Sequence, residues 1–162
     1  MSAKAPEFSF PILQTPKQIN SGFVKLRLTK ETRSLRVVLF CAHQLASADA
    51  NGLSDPYAIL RLGSEKFKSS IVYESTEPHW NEEFHFKSLS KDQGPLVIDF
   101  WDRDSLKDDF LGTVLVPLES LPEEKSIDRK YYLESNLSKD RLQAFAQKPP
   151  IGTLTGTILH CV

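Results

Sequence analysis

The feature that most constrains this chain is a succession of short strand-patterned runs separated by turn residues. FVKLRL, from Phe23 to Leu28, alternates apolar and polar positions with a period of two. LRVVLFCA, from Leu35 to Ala42, is β-branched and largely apolar, as a strand buried on both faces would be. PYAILRL opens on Pro56, which a strand tolerates at its first position. Gly63-Ser64 turns the chain into KFKSSIVY, and EEFHFKSL alternates from Glu82. PLVIDFW follows Gly94, FLGTVLVPL follows a block of aspartates, and KYYL and GTLTGTILHCV complete the series. Runs of this length, joined by Gly, Pro, Asn and Asp, predict an all-β fold, an antiparallel β-sandwich in which each sheet covers the apolar side of the other. Helix signal is thin. Ser138 can cap a short helix near 138–148 that Pro149-Pro150 ends, and PLESLPEEK has room for one helical turn.

A chain of 162 residues is one domain's worth. At this size folding buries roughly 70% of the surface that the unfolded chain exposes, so neither a disulfide nor a structural metal is required. Residues 1–21, with scattered prolines and no continuous apolar run, read as a tail or linker, and 22–162 as the domain. No stretch of about 18 apolar residues is present that would form a transmembrane helix. The net charge of −1 gives no global attraction to nucleic acid. Cys41 and Cys161 lack metal-ligand spacing; Cys41 reads as a small core residue, and a reducing, cytoplasmic setting is the simplest expectation.

Charge is concentrated locally instead. DFWDRDSLKDDFLG, from Asp99 to Gly112, starts as a strand and then gathers Asp102, Asp104, Asp108 and Asp109 in one turn. Earlier, ASADANGLSDPY places Asp49 and Asp55 in another strand-to-strand connection. Loops of a sandwich cluster at its ends. If these two share an end, Asp49, Asp55, Asp102, Asp104 and Asp109 converge. Carboxylates at close range repel, and either their pKa values rise or cations enter. A donor set of hard oxygens without His or Cys suits calcium. Five carboxylates exceed the need of one ion, so two or more ions are expected, with Asp104 as a bridge. The plain alternative is that each aspartate serves its own turn through backbone hydrogen bonds.

These segments resemble the C2 domain, the calcium- and phospholipid-binding module found in protein kinase C and the synaptotagmins. GLSDPYAILRLG is similar to that family's Ser-Asp-Pro-Tyr strand start. STEPHWNEEFHF is similar to its Asn-Pro-x-Trp-Asn-Glu-x-Phe-x-Phe segment, with Glu77 where Asn is usual, and DFWDRDSLKDDFLG to its third calcium-binding loop. The resemblance spans Leu35 to Leu133. It implies eight strands in one of two circularly permuted topologies, and nine runs compete for the eight places. The short third loop, closer to the extended-synaptotagmin pattern, and the strong last run favour the topology that ends in strand 153–160, with Phe23 to Leu28 as an extra element. The resemblance also implies calcium ligands at Asp49, Asp55, Asp102, Asp104 and Asp109, with carbonyls of Ala48 and Arg103. Asp108 is the alternative to Asp109 as last ligand.

The implied function is calcium-dependent binding of anionic phospholipid membranes, a charge switch that targets a parent protein to membranes. Leu106 and Lys107 stand at the apex of the third loop, as candidates for shallow insertion and headgroup contact. Lys66 and Lys68 alternate on one strand face; some C2 domains use lysines there for phosphoinositides, and a solvated face is the plain alternative. Trp80 and Asn81 read as scaffold, Tyr57 and Trp101 as supports of the loops. His43, His79, His85 and His160 are scattered without a nucleophile motif, so the sequence does not suggest an enzyme. The competing reading is a protein-interaction or structural module in which calcium serves stability only.

Overall fold

The computed structural model describes residues 22–46 and 51–134. The expected helix at 138–148 and strand at 153–160 lie outside the described residues, as do Ala48 and Asp49. Eight strands form in chain order: β1 (Phe23–Lys30), β2 (Leu35–His43), β3 (Pro56–Leu62), β4 (Glu65–Lys68), β5 (His79–Phe86), β6 (Leu96–Asp102), β7 (Asp109–Val116) and β8 (Lys125–Tyr132). They make two four-stranded sheets, ordered β5-β2-β1-β8 and β4-β3-β6-β7, with every pairing antiparallel.

The eighth place is filled differently from the expectation. Phe23–Lys30 is not an addition to the sandwich but an inner strand, paired along its length with β2 and with β8. Its alternation explains this: Val24, Leu26 and Leu28 are buried, while Lys25 and Arg27 face outward. With β1 in place, the eight strands of the described residues fall within 23–132.

Between the sheets, Val24, Leu26 and Leu28 of β1 and Leu35, Val37 and Leu39 of β2 meet Ala58, Leu60 and Leu62 of β3 and Leu96, Ile98 and Phe100 of β6. β2 is not buried on both sides, because Arg36, Val38 and Phe40 on its outer face are half-buried. Trp80 is buried, its ring 5.9 Å from that of Phe100 and its indole N–H on the Ser70 carbonyl at 2.9 Å, so it supports the scaffold as expected. The run KFKSSIVY ends as a strand at Lys68; beyond it, the Ser69 hydroxyl accepts the Ala58 N–H at 2.8 Å and turns the chain away. PLESLPEEK holds one turn of 3₁₀ helix, Leu118–Ser120.

Three bulges re-aim side chains. In β5, Trp80 and Asn81 stand opposite Phe40 alone, and Asn81 takes the left-handed conformation (φ 51°) that Asn tolerates. Phe40 is in turn the extra residue of β2 against β1. The shift pairs Cys41 with Lys25, so Cys41, although buried, sits on the face away from the core, with its sulfur 3.5 Å from His43 Nε2. Cys41 is therefore not the core residue that the sequence suggests. In β7, Leu111 is extra against β6 and Gly112 has φ 150°. A Cβ at Gly112 would meet Leu133 Cβ at 2.8 Å, so only glycine fits beneath the closing segment.

Candidate metal- and lipid-binding loops

Three connections meet at one end of the sandwich: 44–55 after β2, 69–78 after β4 and 103–108 after β6. Backbone bonds join them. Leu45 N–H donates to the Thr76 carbonyl at 3.1 Å, Ser75 N–H to Ser54 at 2.7 Å and Arg103 N–H to Asp55 at 3.0 Å. The first loop is tied at its stem by the Ser54 hydroxyl on the Ala46 carbonyl (2.8 Å), and Asn51 accepts the Leu53 N–H (3.0 Å) in an Asx turn. Glu77 closes the exit of β2, accepting the Gln44 N–H at 3.2 Å while its other oxygen bonds His43 Nδ1.

Asp102, the last residue of β6, lies between Pro56 of β3 and Asp109 of β7 in the ladder. Its backbone position buries it: it is 1% exposed. Its Oδ1 accepts the Asp55 N–H at 2.7 Å, whereas its Oδ2 is buried without a hydrogen-bond partner. A buried carboxylate oxygen left this way carries a substantial desolvation cost, and a cation is the natural means of removing it. Asp55 is half-buried, and its Oδ1 accepts the Glu74 N–H at 2.7 Å. Asp104 is exposed, and its Oδ1 accepts the Ser105 N–H at 2.5 Å. Asp109 is exposed at the start of β7. Asp55, Asp102 and Asp109 thus come to one end with Asp104. Among the described residues, however, no three His, Cys, Asp or Glu side chains already stand as a metal-holding group. The donors are carboxylate oxygens throughout, a set that fits a hard divalent cation.

Asp108 is set apart from the other acids. Its Oδ2 accepts the Tyr57 hydroxyl, and its Oδ1 accepts the Asp104 N–H at 3.1 Å. The bond from Tyr57 is the main cause that lowers the Asp108 pKa, followed by that amide, with Lys68 and Arg103 adding to it. Burial, and then the bond to Asp108, push the Tyr57 hydroxyl up to about 12. With both oxygens engaged, Asp108 braces the third loop from inside. Tyr57 is one of the loop supports that the sequence suggests, and Trp101, stacked edge-on against Phe110 at 5.2 Å, is the other.

Leu106 is 96% exposed at the tip of the third loop, with Lys107 exposed beside it. Three exposed aromatics escape the sequence reading, Tyr73 in the second loop (62%), Phe110 (41%) and Tyr132 at the end of β8 (55%). Tyr73 OH accepts Arg103 Nη1 at 3.1 Å. Its signal is hidden inside KFKSSIVY, whose alternation looks like continuing strand. Lys66 and Lys68 both face outward from β4 and share that face with Arg61, which pairs with Lys66 and is ion-paired to Asp99.

These features define a β-sandwich module with a carboxylate-bearing loop end. A family model described as the C2 domain matches residues 33–133, and the chain belongs to the C2 domain family. It is 39% identical over 99 residues to multiple C2 and transmembrane domain-containing protein 1 of Mus musculus, across 60% of this chain and 10% of that protein. It is 34% identical over 127 residues to extended synaptotagmin-3 of Homo sapiens, across 76% of this chain and 14% of that one. The crystal structure of a C2 domain of RIM from Drosophila superposes with a TM-score of 0.61 at 26% identity, covering 70% of this chain and 98% of that domain. The chain thus spans about a tenth of the length of the curated relatives it matches.

Proposed function

We propose that this C2 domain binds anionic phospholipid membranes in a calcium-dependent manner through the loop end that carries Asp55, Asp102, Asp104 and Asp109. The observation that carries the reading is the buried, unpartnered Oδ2 of Asp102 at the junction of β3, β6 and β7. Asp49 and the carbonyls of Ala48 and Arg103 complete the proposed ligand set for two or more calcium ions. Asp109, whose carboxylate makes no hydrogen bond or ion pair among the described residues, is preferred over Asp108 as last ligand, because Asp108 has both oxygens engaged. Calcium bound there supplies positive charge and open coordination positions for lipid phosphate or carboxylate oxygens.

The chain's own residues do the rest. Asp102 holds the stem of the first loop through the Asp55 amide, so the first and third loops keep one relative position. Arg103 braces Tyr73 and so links the third loop to the second. Leu106 offers an apolar tip whose full burial is worth about 1.5–3 kcal/mol, and partial insertion gives less. Lys107 stands beside it to meet anionic headgroups. Lys66 and Lys68 are general contacts for an anionic surface. Association of this kind is peripheral: no helix among the described residues is long and apolar enough to cross a membrane.

Vesicle co-sedimentation tests the reading. Binding to phosphatidylserine vesicles is expected with calcium and is lost with chelator; Asp104→Asn loses the response and stays folded by circular dichroism. Chelator-insensitive binding, or a calcium-raised melting temperature with no vesicle binding, sinks it in favour of a stability-only role for calcium.

A further inference from the structure

The outer face of the β3-β4-β6 sheet is the surface where an anionic headgroup would meet Lys66 and Lys68. Tyr57, Ile59 and Arg61 of β3 point to this face, since Ala58, Leu60 and Leu62 are in the core. The register sets Lys68 beside Ile59 and Lys66 beside Arg61 from β4, and Asp99 beside Ile59 from β6. Two carboxylates answer three cations here. Asp99 is ion-paired to Arg61. Lys68 Nζ lies 4.3 Å from the centre of the Tyr57 ring, and the hydroxyl of that ring is bonded to Asp108, so the ring joins the cation to the carboxylate. Lys66 has no ion pair among the described residues. The face therefore carries less usable positive charge than its lysines suggest.

We infer that Asp108 is a specificity-determining residue: bonded to the Tyr57 hydroxyl, it sets a fixed negative charge against Lys68 and turns this face away from multiply phosphorylated inositol headgroups. This rests on the membrane-binding reading and deepens it, assigning lipid choice to the loops and not to the strand face. Two physical effects combine. A headgroup phosphate approaching Lys68 meets the Asp108 carboxylate, and like charges repel. The Tyr57 proton is also committed to Asp108, so the hydroxyl cannot donate to a phosphate.

The substitution Asp108→Asn reverses both. It removes the charge, and its amide oxygen can still accept the Asp104 N–H. Its amide nitrogen then donates to the Tyr57 oxygen, which frees the hydroxyl proton for a phosphate.

The test compares the wild type, K68Q, D108N and the double variant D108N/K68Q. Each is titrated with phosphatidylserine–phosphatidylcholine vesicles, with and without phosphatidylinositol 4,5-bisphosphate, in calcium and in chelator. D108N is expected to gain roughly fivefold in affinity for the phosphoinositide vesicles in both media. The gain shrinks as salt rises and disappears in D108N/K68Q, while D108N keeps its calcium-dependent binding to phosphatidylserine vesicles. The inference is overturned if D108N shows no gain, or if wild type already prefers phosphoinositide vesicles by a margin that K68Q removes. It is equally overturned if D108N loses calcium-dependent phosphatidylserine binding, which would make Asp108 a ligand. Failure of the membrane reading has a separate signature: wild type then ignores phosphatidylserine vesicles in calcium, while the chelator arm still compares D108N with wild type on the phosphoinositide vesicles.

Discussion

The two ends of the sandwich treat their acids differently. At the end away from the carboxylate loops, several turn acids have partners, while Asp92 and Glu119 are simply exposed to solvent. Glu123 is bound to Lys30 at 2.6 Å, Glu124 accepts the N–H and hydroxyl of Thr32, and Glu65 accepts the amides of Lys87 and Ser88. These carboxylates hold connections together, and nothing more is needed to explain them. At the loop end, Asp102 keeps one oxygen buried and unbonded, and Asp109 stands exposed without a partner among the described residues. Both ends are acidic turns in sequence. The difference is burial: among the described residues only Asp102 keeps a carboxylate oxygen both buried and unbonded, and such an oxygen asks for a ligand.

The largest effect expected from this contrast is at Asp102. Asp102→Asn should weaken calcium-dependent vesicle binding by roughly a hundredfold or more, since it removes a buried charged partner. Its thermal stability without calcium should hold or rise, because a neutral amide is cheaper to bury and still accepts the Asp55 N–H. A variant that is destabilised without calcium yet still binds vesicles would place Asp102 with the structural acids of the other end.

Next comes Tyr57→Phe, which should cost about 1–2 kcal/mol in denaturant unfolding by removing a bond to a charged acceptor. Two pH signatures accompany it. The Asp108 pKa is lowered in the folded state, so its contribution is present above the ordinary carboxylate pKa and is lost as pH falls through the lowered value. The Tyr57 pKa is raised to about 12, so its contribution is present below about pH 10 and is lost as pH rises toward 12. Melting curves of Tyr57→Phe should lack the alkaline loss and show a smaller acid one.

Leu106→Ser should leave the melting temperature unchanged and reduce vesicle affinity by about three- to tenfold, in line with partial burial of one side chain. The smallest effect is at the opposite end. Glu123→Gln should cost less than about 1 kcal/mol, because its side chain is largely exposed, and should leave vesicle binding untouched. If Glu123→Gln altered vesicle binding, the distinction between the two ends would fail.

Much of the fold is legible in the chain because alternation is a local property. FVKLRL, LRVVLFCA, PYAILRL and PLVIDFW all become strands, and Asp55, Asp102, Asp104 and Asp109 fall in or beside connections at one end. What misleads is anything that a one-residue shift can invert. The extra Phe40 in β2 moves Cys41 to the outer face, and the stop at Ser69 places Tyr73 in an exposed loop. A bulge is decided by the partner strand, whose position no local pattern records. The role of Phe23–Lys30 is hidden for the same reason: its pattern makes it a strand, but pairing with β2 and β8 makes it an inner one.

Residue types and their spacing are enough to set strand period and ligand chemistry, so the class of fold and the supply of hard oxygen donors are already written in the chain. Which acids are satisfied is a matter of tertiary contact. Asp108 and Asp109 are neighbours in the chain, yet one is bonded to a tyrosine 51 positions away and the other is left open. Partners that far apart meet only through the pairing of β3 with β6, and burial of the Asp102 carboxylate arises only once both neighbouring strands close on it.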